Sequence, residues 1–105
     1  MVIIETSVFT RQIRTLLTDD NYMRLQAHLV MQPDAGKIIP NSGGLRKVRW
    51  TAKGRGKRSG VRIIYYWAVQ HDHIMMLLIY AKNQQDELSS DQLKVLRRII
   101  EEEYP

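Results

Sequence analysis

Two neighbouring runs of β-branched and aromatic residues constrain the fold of this chain most strongly. They cover residues 61–69 and 74–81, and only the four polar residues 70–73 separate them. Runs of this length and composition predict β-strands, and apolar residues at most positions indicate burial on both faces. We therefore expect an antiparallel hairpin at the centre of a sheet, with helices covering that sheet.

Helical spacing of apolar residues predicts two helices in the first third of the chain, after a short apolar strand at residues 2–4. Ser7 can cap the first helix. Thr18 can cap the second helix, and Pro33 ends it because proline cannot continue a helix. The two helices are expected to pack as a hairpin.

Alternation replaces the helical spacing at residues 45–50, after a turn signal at residues 40–44. Lys47 and Arg49 then share one face of this predicted strand. Ser89 and Gln92 form a capping box that begins the last helix. The predicted order is β-α-α-β-β-β-α, a single α+β domain over residues 1–105 with a largely antiparallel sheet packed against helices.

Composition excludes several classes of protein and site. No apolar run approaches the roughly 18 residues of a membrane-spanning helix, and the first residues lack the pattern of a signal peptide, so we expect a cytoplasmic protein. The absence of cysteine excludes disulfides, a thiolate nucleophile and a cysteine-ligated zinc site. No spacing of histidines and carboxylates indicates a metal site, and we expect no cofactor.

Positive charge is concentrated in one third of the chain. Residues 35–71 contain nine of the 16 Lys and Arg residues and no Asp or Glu, whereas the remainder has an excess of acidic residues. Such segregation focuses a positive potential on one surface, and polyphosphates such as RNA are the usual partners. The alternative is a solvated run of charge that serves only solubility.

Strand pairing is expected to gather several of these cations at one end of the sheet. Arg62 lies near the start of the first hairpin strand, so it should neighbour Lys82 and Asn83, which follow the second strand. Lys47 and Arg49 come from the adjoining strand. The sequence therefore predicts a cationic cluster built from separate segments.

Several segments occur in a characteristic order. After the two predicted helices come Gly-Gly-Leu-Arg-Lys-Val-Arg at 43–49, a Lys/Arg/Gly-rich insert at 53–60, Gly-Val-Arg-Ile-Ile-Tyr-Tyr at 60–66 and Ile-Tyr-Ala-Lys-Asn at 79–83. In this order the chain resembles the RelE/HigB family of toxins from bacterial type II toxin–antitoxin pairs, and it looks closest to the HigB-like branch. The resemblance covers nearly the whole chain.

The resemblance implies a RelE-like fold and a small ribosome-dependent endoribonuclease (mRNA interferase). Such an enzyme cuts messenger RNA in the ribosomal A site and inhibits translation. It also implies a cognate antitoxin that neutralises the toxin and carries a helix-turn-helix domain. We expect the toxin alone to be monomeric.

Matching the family's motifs to this sequence implies the site residues. The two basic positions of the family's first long strand fall on Lys47 and Arg49, and its strand arginine falls on Arg62. A second family arginine, just after the last strand, is Asn83 here. The tyrosine that some members use near the start of the final helix is Ser89.

We hypothesise that these residues promote attack of a ribose 2′-hydroxyl on the adjacent phosphate. Lys47 acts as the general base, since crowding by other cations favours the neutral form that a base requires. Arg62 and Arg49 clamp the scissile phosphate, because arginine stays charged and stabilises negative charge. Lys82 and Asn83 orient it.

A second set of residues is expected to bind RNA or the ribosome. Its glycine-interleaved cations suit the irregular phosphate backbone of ribosomal RNA, and its one tyrosine shares a strand face with Arg62 and can stack on a base. The set is Arg46, Lys53, Arg55, Lys57, Arg58 and Tyr66. The alternative for the insert is a loop without a partner.

Two other function classes are weighed against the ribonuclease. A non-catalytic RNA-binding or translation-regulating module on the same scaffold is plausible, because the family's tyrosine is absent and no histidine replaces it. A sequence-specific DNA-binding protein is disfavoured, since no predicted helix carries a basic face fit for the major groove.

Overall fold

A computed structural model describes residues 1–51, 60–85 and 87–105, and within these ranges it gives three α-helices and five β-strands. The elements in chain order are β1 (Val2–Glu5), α1 (Ser7–Leu16), α2 (Asp19–Met31), β2 (Lys37–Ile38), β3 (Leu45–Trp50), β4 (Val61–Ala68), β5 (His73–Ala81) and α3 (Ser90–Glu103). A short 3₁₀ helix, Val69–His71, connects β4 to β5.

The five strands form one sheet in the order β1-β5-β4-β3-β2. β1 runs parallel to β5, and the other neighbours are antiparallel. The predicted α+β class, the central β4–β5 hairpin and the largely antiparallel sheet are therefore confirmed. β2 was not predicted, because two residues are too few to show a period.

Side-chain caps fix where the helices begin. Thr6, and not the predicted Ser7, caps α1: its Oγ1 accepts a hydrogen bond from the Phe9 backbone N at 3.2 Å. The same hydroxyl donates to the Leu77 carbonyl at 3.0 Å, so the choice of Thr6 ties α1 to β5. The predicted cap at Thr18 is confirmed, and so is the capping box of α3.

Both faces of the sheet are buried, as the composition of the hairpin strands predicted. The first core lies between the sheet and helices α1 and α2, and its fully buried side chains include Phe9, Leu25, Leu29, Ile63, Tyr65, Ile74 and Ile79. The second core lies between the sheet and α3, and it contains Leu45, Ile64, Met75, Leu77, Tyr80, Leu96 and Ile100. Alternate residues of β3 and β4 therefore face different helices.

The segment that leads into β2 is fixed to the sheet through a buried tyrosine. The Tyr65 hydroxyl donates to the Pro33 carbonyl at 2.7 Å and accepts from the Gly36 backbone N at 2.8 Å. A Cβ on Gly36 would lie 2.8 Å from Tyr65 Cε1 and 3.0 Å from the Lys47 carbonyl. Only glycine permits this close approach of residue 36 to Tyr65. The approach places β2, which begins at the next residue, beside the edge of β3.

None of the helices in the described ranges is long and apolar enough to cross a membrane.

Removal of the Tyr65 hydroxyl is expected to destabilise the fold. Tyr65→Phe leaves the buried Gly36 N–H without its partner, which should lower the free energy of unfolding by about 1–3 kcal/mol, measured by urea denaturation. Tyr66→Phe is the matched control: no hydrogen bond of its hydroxyl occurs within the described residues, and the change should stay within about 0.5 kcal/mol. Equal losses in both variants would contradict this role of Tyr65.

A second, half-buried tyrosine makes stability sensitive to alkaline pH. The Tyr22 hydroxyl donates to Glu5 Oε2 at 2.5 Å, and burial together with this hydrogen bond raises the pKa of Tyr22 above its usual range. The folded protein therefore keeps a proton that the unfolded chain releases above about pH 10.

The free energy of unfolding should consequently fall as pH rises above about 10, and Tyr22→Phe should make this fall less steep, because it removes the titrating group. Urea denaturation at a series of pH values between about 9 and 11 measures the slope. An identical slope in the wild type and in Tyr22→Phe would show that another group controls it.

Candidate functional site

Three of the predicted catalytic cations lie on one face of the sheet, where β3 pairs with β4. Arg49 is the register partner of Arg62, and Lys47 is the partner of Ile64, two positions along. Directly opposed residues of antiparallel strands share a face and have Cα atoms about 4.5–5.5 Å apart. The structure thus brings Lys47, Arg49 and Arg62 together on the face that α3 covers.

These cations differ in burial. Arg62 is only 7% exposed, and its Nη1 donates to the Val61 carbonyl at 3.2 Å. Arg49 is exposed and Lys47 is half-buried. Two guanidinium groups on opposed positions repel each other, and burial of one of them strengthens the repulsion because solvent screens it less.

No acidic side chain neutralises this cluster within the described residues. The ion pairs of those ranges join the Met1 ammonium to Asp72, Arg24 to Asp20 and Arg97 to Glu101. The face therefore keeps its positive potential, and an anion bound there would relieve the repulsion between its arginines.

Lys82 and Asn83 lie in the turn that follows β5, and both are exposed. The Lys82 backbone N donates to the Gly60 carbonyl at 3.1 Å, just before β4 begins. Since Arg62 pairs with Tyr80, the turn lies at the Arg62 end of the sheet. The structure places both residues where the hairpin geometry predicted them.

Two residues of the predicted RNA-binding set lie away from this cluster. Arg46 points to the opposite face of β3, and its Nη1 donates to the Gly36 carbonyl at 2.8 Å. Tyr66 shares the face of Arg62 but lies four residues along β4, about 13 Å away. Its ring packs against Tyr104 with centroids 5.5 Å apart.

The remaining four members of that set, Lys53, Arg55, Lys57 and Arg58, lie outside the described residues.

The three histidines lie elsewhere. His71 and His73 are at the far end of the β4–β5 hairpin, where His73 Nδ1 lies 3.3 Å from the Tyr104 hydroxyl. Burial raises the pKa of Tyr104 above its usual range. His28 packs on Trp50, on the other face of the sheet from Arg49. None of the three histidines therefore joins the cationic cluster.

Ser89, which stands where some family members have tyrosine, has a structural task. Its hydroxyl accepts from the Gln92 backbone N at 3.1 Å, and the Gln92 side chain accepts from the Ser89 backbone N at 3.0 Å. This capping box holds the first turn of α3.

Lys37 is a further cation on the same face, and the sequence alone did not predict this position. It is the register partner of Lys47 across β2 and β3, so the two side chains point the same way. The signal that could have found Lys37 is its membership of the acid-free region 35–71. Its position depends on β2, which is too short to be read from the sequence.

The arrangement suits stabilisation of a phosphate and of the charge that builds on it during displacement. Arginine cannot serve as a base, because its guanidinium does not lose a proton in proteins. Lys47 is the member of the central trio whose amine can exchange a proton.

Comparison with known proteins gives a match over nearly the whole chain. The family described as RelE toxin of the RelE/RelB toxin–antitoxin system matches residues 1–103. A structure of a mutant of the E. coli toxin RelE in the free state superposes with a TM-score of 0.63 over 94% of this chain and 96% of that chain, at 12% sequence identity. At this identity the superposition shows a shared fold, and the family match is what identifies the chain: it belongs to the RelE toxin family of toxin–antitoxin systems.

Proposed function

We propose that this chain is a ribosome-dependent endoribonuclease that cleaves messenger RNA in the ribosomal A site and thereby inhibits translation. The observation that carries the proposal is the shared face of Lys47, Arg49 and Arg62, which no acidic residue neutralises within the described ranges. Membership of the RelE family supplies the reaction class.

In the proposed reaction a ribose 2′-oxygen attacks the adjacent phosphorus, the bond to the 5′-oxygen breaks, the departing 5′-oxygen takes up a proton from solvent, and a 2′,3′-cyclic phosphate results. Lys47 takes the proton of the 2′-hydroxyl. Arg49 and Arg62 hold the non-bridging oxygens, whose negative charge grows as the phosphorane forms. Lys82 and Asn83, in the turn beside Gly60, orient the phosphate.

The weakness of this acid–base set supports dependence on the ribosome. A lysine and two arginines stabilise charge well, but they move protons less effectively than a histidine near its pKa. A messenger strand that the ribosome holds in a bent, near-attack geometry would supply the missing rate enhancement through alignment.

The proposed partners follow from this reaction. We propose that residues 1–105 act as one toxin domain, monomeric when alone, and that a cognate antitoxin with a helix-turn-helix domain neutralises it. Its site of action would be the cytoplasm, where ribosomes translate. Lys53, Arg55, Lys57 and Arg58 would dock ribosomal RNA, with Arg46 and Tyr66 as further contacts, and the HigB-like branch remains the predicted subgroup.

A non-catalytic translation regulator on the same scaffold is the second candidate. The capping role of Ser89 favours it, because that residue stands where some relatives have a tyrosine. A protein of this kind would bind the ribosome through the same cations and cut nothing.

Loss of the exposed arginine should separate the two candidates. Arg49→Ala removes one phosphate contact from an exposed position and should lower A-site cleavage by roughly 10²–10³-fold with the fold intact, as measured by primer extension on programmed ribosomes. Arg14→Ala, which also removes an exposed charge but from α1 on the other side of the sheet, should cleave like the parent. Arg62→Ala should be as inactive as Arg49→Ala.

If the folded Arg49→Ala and Arg62→Ala variants both cleave at the parent rate, the assignment of the cluster is wrong. If the parent inhibits translation without cleavage, the non-catalytic candidate holds.

Dependence on the ribosome is tested with one transcript in two states. The parent protein should cut it at A-site codons when ribosomes are paused on it, and at least about 10³-fold more slowly when it is naked, because alignment is then lost. Equal rates in the two states would refute ribosome dependence while leaving ribonuclease activity in place.

A further inference from the structure

A cavity of about 440 Å³ opens beside Lys47, between β2, β3 and the start of α3. It is separate from the Arg49–Arg62 pair and shares only Lys47 with the predicted catalytic set. Two lysines, five apolar residues and one glutamate line it: Lys37, Lys47, Ile38, Ile39, Pro40, Leu88, Leu93 and Glu87.

The lysines give one side of the cavity an affinity for anions. Lys37 and Lys47 are opposed across β2 and β3, and neither forms an ion pair within the described ranges. Like charges in this position destabilise the strand pair unless an anion lies between them. A phosphate next to the scissile one would occupy that place.

The apolar side of the cavity is held by the core. Ile39, Leu88 and Leu93 are half-buried and pack against the residues between the sheet and α3. A nucleobase has two apolar faces and a polar edge, so it matches a cavity with apolar walls and a polar rim.

Glu87 lies on that rim, and its backbone is tied to α3. The Gln85 Nε2 donates to the Glu87 carbonyl at 2.9 Å and to Gln92 Oε1 at 2.5 Å. Gln92 belongs to the capping box, so Glu87 is positioned relative to the helix that supplies Leu93. The exposed Glu87 carboxylate makes no ion pair within the described residues.

We propose that this cavity binds the nucleotide adjacent to the scissile phosphate, with Lys37 on its phosphate and Glu87 on the edge of its base. The inference rests on the proposed ribonuclease function and adds a specificity determinant to it. An ionised carboxylate only accepts hydrogen bonds, so Glu87 selects a base with an exocyclic amino group. Cytosine is therefore preferred over uracil, which presents a carbonyl oxygen at the same position.

Cleavage of programmed ribosomes tests the selectivity. A-site codons that differ only by cytosine or uracil are compared at each codon position, and the parent should favour cytosine by about tenfold at one of them. Glu87→Gln should reduce this ratio to about twofold or less, because an amide both donates and accepts. Glu102→Gln, at an exposed position near the far end of α3, is the matched control and should keep the parent ratio.

A parent ratio near one at all three positions, or an unchanged ratio in Glu87→Gln, would overturn the role of Glu87.

Binding to the free protein tests the cavity independently of cleavage. Cytidine 5′-monophosphate should shift the NMR signals of the Ile39, Leu88 and Leu93 methyl groups and bind about tenfold more tightly than uridine 5′-monophosphate. Lys37→Gln should weaken the binding of both nucleotides, because it removes the charge that contacts their phosphate. If the parent protein shows these NMR shifts but cuts no RNA, the cavity binds nucleotides and the ribonuclease proposal is wrong. If the parent protein cuts RNA but shows no shifts, only the nucleotide-binding role of the cavity is wrong.

Discussion

The register between β3 and β4 is the constraint on which the cationic face of the sheet depends. Arg49 lies opposite Arg62 and Lys47 lies opposite Ile64, so the cations of two strands point toward the same side. A slip of one residue would turn every side chain of β3 to the other face. Burial prevents the slip, because Leu45 must reach the core under α3 while Val48 must reach the core under α1 and α2.

This arrangement places mutually repelling groups on a framework that apolar burial holds together. Arg62 is buried next to a second arginine, and Lys37 is opposed to Lys47. Functional sites commonly carry such local destabilisation, which the surrounding fold offsets. Here the offset comes from the central hairpin, whose strands are buried on both faces.

Much of the fold was readable from the sequence because its signals are local. The apolar runs of β4 and β5 and the capping box at Ser89 each lie within a few residues, and the structure contains all of them. The cap of α1 was mispredicted. Thr6 and Ser7 are adjacent and both carry a hydroxyl that can cap a helix, and the hydrogen bond of Thr6 to the Leu77 carbonyl distinguishes them. β2 escaped prediction because a buried tyrosine, and not its own composition, positions it.

The residues of the site likewise divide into those that local sequence signals predict and those that only long-range contacts position. Lys47, Arg49 and Arg62 could be gathered from charge and strand geometry alone, since the hairpin and its neighbour fix their relation. Lys37 and Glu87 could not, because their positions depend on contacts between segments far apart in the chain. Arg46 shows the converse: it is adjacent to Lys47 in sequence, yet the alternation of the strand directs it to the opposite face.

The parallel pairing of β1 with β5 has a consequence for biosynthesis. The Thr6 hydroxyl donates to a carbonyl 71 residues later, and β1 pairs with β5. Contacts of such long sequence separation form slowly, and a strand pair without its neighbours is marginally stable in water. The first strand must therefore wait, unpaired, until β5 has emerged from the ribosome, and the sheet that displays the cations is completed only then.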